Sequence, residues 1–129
     1  MRNIIFALSV ILTLSACSNK KKLTDNLHGT WYVYKYLKDG IDKTAVAPYS
    51  DSIRNYTIEF TPGGDFKETN VFAPDTVILP GKWAFEDNNE TLTLTDTIYK
   101  SRSYTIFNLE GNHVELRRLG TNRYLRKQQ

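Results

Sequence analysis

The sequence predicts an all-β fold: a single eight-stranded antiparallel up-and-down barrel that follows an N-terminal leader and a short tether. Three observations lead there. No stretch after Leu27 carries a long apolar i, i+3, i+4 pattern, whereas period-2 alternation with β-branched and aromatic residues dominates. Turn signals recur at short intervals: Asp39-Gly40, Pro62-Gly63-Gly64-Asp65, Asp87-Asn88-Asn89, Glu110-Gly111-Asn112 and Gly120-Thr121-Asn122. Eight short strands joined this way leave exposed sheet edges unless the sheet closes on itself. At 129 residues there is room for one domain and one modest core.

In chain order the strands read Thr30–Lys38, Ile53–Thr61, Asp65–Phe72, Val77–Glu86, Glu90–Thr95, Lys100–Leu109, His113–Leu119 and Asn122–Lys127. The second puts Tyr56, Ile58 and Phe60 on one face, and Phe66 opens the inner face of the third. Trp83 and Phe85 share a face of the fourth. Leu92 and Leu94 point inward on the fifth, with Thr91, Thr93 and Thr95 outward; Val114 and Leu116 point inward on the seventh. An eight-stranded barrel encloses an interior just wide enough for its own side chains or one small ligand.

The first connection is the exception. Asp39–Ser52 is long for a compact domain, and long connections serve either as lids or as plain surface loops. A short helix is expected around Thr44–Ala47, stopped by Pro48.

The first residues have the three parts of an export signal: Arg2, the apolar run Ile4–Leu14, and small Ser15 and Ala16. The run is too short to span a bilayer, which takes about 20 residues. Leu14-Ser15-Ala16-Cys17 resembles the bacterial lipobox, in which the cysteine is acylated and becomes the first residue of the mature chain. Cys17 is the only cysteine, so no intramolecular disulfide is possible, and lipidation accounts for the odd count. The expected organisation is a leader over 1–16, removed on maturation, a lipidated cysteine and flexible basic tether over 17–26, and the barrel over 27–129. Lys20, Lys21 and Lys22 would then lie beside lipid headgroups, either adding attraction or merely solvating a linker. Ser18 after the cysteine resembles lipoproteins sorted to an outer membrane. Without Arg2 the mature chain has 16 basic and 14 acidic residues, a net charge of +2, which is no footprint for nucleic acid.

Gly29-Thr30-Trp31 matches the G-x-W that opens the first strand of lipocalins, and Gly81-Lys82-Trp83 repeats the form. Phe60-Thr61-Pro62-Gly63-Gly64-Asp65-Phe66 resembles the hairpin of bacterial lipocalin-like lipoproteins. Leu92-Thr93-Leu94, Tyr104-Thr105-Ile106 and Val114-Glu115-Leu116 follow in the family's order, so the resemblance covers about residues 27 to 127. It implies a lipocalin-like barrel, open at one end, that holds small apolar molecules. It also implies that Trp31 closes the base beneath an arginine from near the C-terminus, with Arg117, Arg118, Arg123 and Arg126 as candidates. The chain lacks the C-terminal helix of lipocalins, which leaves open an interior filled by its own side chains.

The candidate ligand-binding residues are Trp31, Val33, Lys35, Tyr56, Ile58, Phe60, Trp83 and Phe85. Lys35 shares parity with Trp31, so it would face the interior and mark a ligand carboxylate unless a bulge resets the alternation. His28 and His113 lie in different regions, and no HExxH or cysteine cluster occurs, so no metal or other cofactor is expected. No G-x-S-x-G occurs and the carboxylates sit in turns, so no enzymatic activity is expected. The basic C-terminal hairpin either faces an anionic surface or protects exposed strands from edge pairing. Two functions remain: a membrane-tethered barrel that binds a small apolar or amphipathic molecule, or a filled barrel that docks an envelope protein as inhibitor or accessory subunit.

Overall fold

The alternating segments form nine strands: β1 (Gly29–Lys38), β2 (Ile41–Asp42), β3 (Tyr56–Phe60), β4 (Asp65–Phe72), β5 (Asp75–Glu86), β6 (Thr91–Asp96), β7 (Lys100–Glu110), β8 (His113–Arg118) and β9 (Thr121–Lys127). The computed structural model describes residues 22–72 and 75–129. The expected leader, Cys17 and the expected tether as far as residue 21 lie outside the described residues.

All pairings are antiparallel, and β1 pairs with β9, which closes β1 and β3–β9 into an eight-stranded barrel. Closure leaves no long edge to template aggregation. β2 is a two-residue addition at the end of β1, where Leu37 faces Asp42. All eight expected strands are present.

The long connection is built differently from expectation. The helix is not at Thr44–Ala47; α2 spans Tyr49–Arg54, on the other side of Pro48. A proline is disfavoured inside a helix but tolerated at its start, where no intrahelical N–H bond is lost. Pro48 therefore sits at the N-cap, and Ile53 and Arg54, expected in a strand, belong to the helix. Ahead of the barrel, residues 22–27 form a helical turn (α1) rather than a flexible tether. Leu27 is buried and Leu23 packs against the core, so apolar contact holds this segment down.

The barrel has a closed base and an open mouth. At the base, Trp31 is fully buried and its Nε1 donates a 2.8 Å hydrogen bond to the Leu27 carbonyl. None of the four candidate arginines covers it. Lys127, directly across the ladder on β9, lies over the Trp31 ring at 5.0 Å and donates to the Asn26 carbonyl. The arginines pack on other rings: Arg117 on Phe107, Arg118 on Tyr104, Arg123 on Tyr56 and Arg126 on Tyr34. The cation at the base is a lysine because register, not residue type, sets which side chain stands opposite Trp31. Above Trp31 the lower half is packed solid by Ile58, Phe60, Phe66, Leu92, Leu94, Val114 and Leu125. Gly81 is required there: a Cβ at this position would run into the Phe66 ring and the Thr95 carbonyl oxygen.

Candidate ligand-binding site

Inward positions rise from base to mouth in steps of two. On β4 they run Phe66, Glu68, Asn70; on β7, descending, Arg102, Tyr104, Ile106; on β9, descending, Arg123, Leu125, Lys127. The interior thus changes from apolar to polar partway up. Above that level is a partly open cavity of about 300 Å³. Its upper walls are Val77, Leu79, Ile98 and Tyr99, with Tyr36 and the α2 residues Tyr49 and Ile53 across from them. Val77, Ile98 and Tyr99 are about half exposed or more and form an apolar rim.

The floor is a charged network. Arg102 reaches across the barrel to Glu68 in a two-pronged pair, Nη1 to Oε1 at 3.0 Å and Nη2 to Oε2 at 2.9 Å. Nη2 also donates to Asp96 Oδ2 at 3.1 Å. Tyr56 donates its hydroxyl to Glu68 Oε1 at 2.8 Å. The Asp96 carboxylate in turn caps the β6–β7 turn by accepting from the Ile98 and Tyr99 amides. Glu68 is only 3% exposed, and a buried charge of this kind persists only when paired and hydrogen-bonded.

The network sets the protonation states. Burial raises the Tyr56 phenol well above its ordinary value and the Glu68 charge raises it further, so it remains a donor. Burial would also raise the Asp96 carboxyl, but the Tyr99 and Ile98 amides and the Arg102 guanidinium hold it below the usual range. Burial works against the charge on Arg102, yet Glu68 and Asp96 more than offset it and keep it ionised. Arg123, on β9 beside the Tyr56 ring, is likewise held ionised: burial opposes the charge, while the hydroxyls of Tyr56 and Tyr104 and the Glu68 carboxylate favour it.

Of the expected binding residues, Val33 and Tyr56 line the cavity. Trp31, Ile58, Phe60, Trp83 and Phe85 do not; they belong to the packed lower half. Trp83 is wedged edge-on between Phe60 and Phe85, with centroids 5.9 and 5.6 Å away. Lys35 is corrected to the outer surface. The β1–β9 register shifts between Val33 and Lys35, and this bulge at Tyr34 flips the parity of everything beyond it. Lys35 lies over the Tyr124 ring at 5.2 Å, and Tyr36 takes the inward position instead.

Glu68, Arg102, Tyr36 and the α2 residues were missed as site residues. Glu68 and Arg102 were accessible to the alternation rule, two residues from Phe66 and Tyr104. Tyr36 and α2 were not, because a bulge and a loop helix carry no such signal. Among the described residues no group of three or more His, Cys, Asp or Glu side chains is placed to hold a metal.

Comparison with known proteins agrees with this architecture. The lipocalin-like domain family matches residues 27–116. A lipocalin-like protein from Bacteroides uniformis superposes with a TM-score of 0.61 at 13% identity, over 80% of this chain and 99% of that one. An uncharacterized protein from Bacteroides eggerthii gives 0.60 at 12% identity, over 79% and 99%. A DUF4847 family protein from Bacteroides vulgatus gives 0.57 at 15% identity, over 80% and 96%. At such identities these structures speak to the fold alone. No curated protein matches the chain. With the family match spanning most of the barrel strands and the structure closing them as that fold requires, this chain belongs to the lipocalin-like domain family.

Proposed function

We propose that this chain is a binding protein that holds a small apolar or amphipathic molecule in the mouth of its barrel, without turning it over, while lipid on Cys17 anchors it in the bacterial envelope, at the outer membrane. One observation carries the binding reading: the lower half of the barrel is packed, whereas the upper half keeps an open cavity of about 300 Å³ with apolar walls and a few convergent polar groups. That is the makeup of a small-molecule site, at the small end of the usual range. A barrel used only as a docking block has no reason to leave this space unfilled, since each unfilled methylene-sized void in a core weakens it. The anchoring reading rests on Leu14-Ser15-Ala16-Cys17 and on the apolar run before it.

Native mass spectrometry of the protein purified from a bacterial host, paired with titration of an apolar fluorescent dye, tests the binding reading. A small molecule that travels with the protein and leaves on activation, or dye binding lost in Leu79→Arg, is the expected result. A bare protein mass together with no dye binding would overturn it and turn attention to an envelope protein as partner. For the anchor, Cys17→Ser is expected to move the protein from the membrane fraction to the soluble fraction; membrane retention of that variant would refute lipidation.

A further inference from the structure

The formal charges of the cavity floor balance, Arg102 and Arg123 against Glu68 and Asp96, but the ion pairs are unevenly shared. Its lining includes two guanidiniums, Arg102 and Arg123, and one carboxylate, Glu68. Both terminal nitrogens of Arg102 are committed, Nη1 and Nη2 to Glu68 and Nη2 also to Asp96, while its buried Nε is left without a hydrogen-bond partner among the described residues. Glu68 already receives three hydrogen bonds, two from Arg102 and one from Tyr56. Asp96 is taken by Arg102 and two backbone amides. Arg123 has no carboxylate within ion-pair distance among the described residues. Its guanidinium carbon lies 5.7 Å from the centroid of the Tyr56 ring.

Arg123 is nevertheless not a surface residue. It stands one inward position above the fully buried Leu125, opposite Tyr36 on β1 and Leu116 on β8, and it faces the cavity. Desolvation opposes the charge there, and the surrounding tyrosine hydroxyls and the Glu68 carboxylate favour it, but no carboxylate among the described residues pairs with the guanidinium directly. Guanidinium geometry also suits a planar two-oxygen partner better than any point anion. The rim above it is apolar: Val77 and Ile98 are exposed to solvent at the mouth. The site is therefore polar below and greasy above.

Building on the carrier reading, we propose that the cavity takes its ligand head first: an amphiphile whose carboxylate pairs with Arg123 at the floor while its apolar tail lies along Leu79, Val77 and Ile98 toward the rim. The ligand supplies the direct ion pair that Arg123 lacks among the described residues. Lys35, which the sequence alone pointed to for this role, is on the outer wall and takes no part.

The test is calorimetric titration of the full-length protein with three probes of equal chain length: decanoate, 1-decanol and decylamine. Decanoate is expected to bind about tenfold or more tighter than decanol, the value of one charged hydrogen-bonded contact, and decylamine weakest. Arg123→Met should erase the preference for decanoate over decanol, and Arg123→Lys should keep part of it. The Lys variant and the wild-type selectivity remain informative if the Met variant folds poorly. Equal binding of decanoate and decanol by the wild type, or full preference retained in Arg123→Met, would overturn the head-first carboxylate but leave the carrier reading intact. Failure of all three probes would overturn both.

Discussion

A single carboxylate, Glu68, organises the polar half of this interior. It sits where alternation from Phe66 demands an inward side chain, and three donors from Arg102 and Tyr56 make that burial tolerable. Removing one partner is therefore far worse than removing an exposed charge. Arg102→Met should destabilise the fold by about 3–5 kcal/mol, because Glu68 and Asp96 are left buried without their cation; urea denaturation checks this. Asp96 adds a pH dependence. Its carboxyl lies below the ordinary value of 3.8 in the folded state, so its contribution to stability is present above that value and is lost as pH falls through the lower, folded one. Thermal unfolding followed from neutral pH downward should show a decline below about pH 4 that is blunted in Asp96→Asn. These inward charges were legible in principle. Glu68 is two from Phe66, Arg102 two from Tyr104, and Arg123 two from Leu125. Weighing charged residues as surface by default hid them.

Two elements show how local backbone events override a residue pattern. On β5, Gly81 lets the strand pass so close to Phe66 and the Thr95 carbonyl that no side chain fits. Gly81→Ala should cost about 3 kcal/mol, the scale of overpacking a core, and calorimetric unfolding would show it. On β1, the bulge at Tyr34 turns Lys35 outward and Tyr36 inward. Lys35→Ala should thus leave ligand affinity unchanged and alter stability by about 1 kcal/mol or less, the worth of an exposed cation on a ring; loss of binding in that variant would contradict the register. The α2 helix makes the same point. Pro48 ends a helix when read forward from Thr44 and begins one when read toward Tyr49, and packing of Ile53 and Tyr49 over the cavity selects the second. Tyr49 stacks on Tyr36 with ring centroids 5.5 Å apart, which ties the connection to the barrel wall.

At the scale of the molecule, the two ends of the barrel are different. The chain enters at the base, where residues 22–27 pack and where the turns over 61–64, 87–90 and 111–112 lie; the cavity opens at the other end, beside α2 and the 97–99 turn. A lipid on Cys17 would be joined to the base through only a few residues, so the mouth should point away from the anchoring membrane. Fluorophores at Asn88→Cys and Ile98→Cys, with the lipidated protein in vesicles that carry a quencher at the headgroups, check this. The base label at position 88 should be quenched more than the mouth label at 98; the reverse order would mean that the ligand enters from the bilayer.

The sequence by itself determined the class, the number and order of the barrel strands, and the apolar face of most of them. Those follow from period-2 alternation and turn chemistry, which act over a few residues and survive without tertiary context. The resemblance of Gly29-Thr30-Trp31 to the lipocalin G-x-W also implied that Trp31 closes the base. Tertiary structure decided the rest. Which cation covers Trp31 depends on β1–β9 register across almost a hundred residues, and it chose Lys127 over four arginines. Which half is filled depends on how Ile58, Phe60, Phe66, Trp83 and Phe85 pack together, and this moved five expected ligand contacts into the core. The site itself, Glu68 with Arg102 and Arg123 above a plug of aromatics, exists only once the sheet closes, because closure is what brings side chains from β4, β7 and β9 to face one another across the interior.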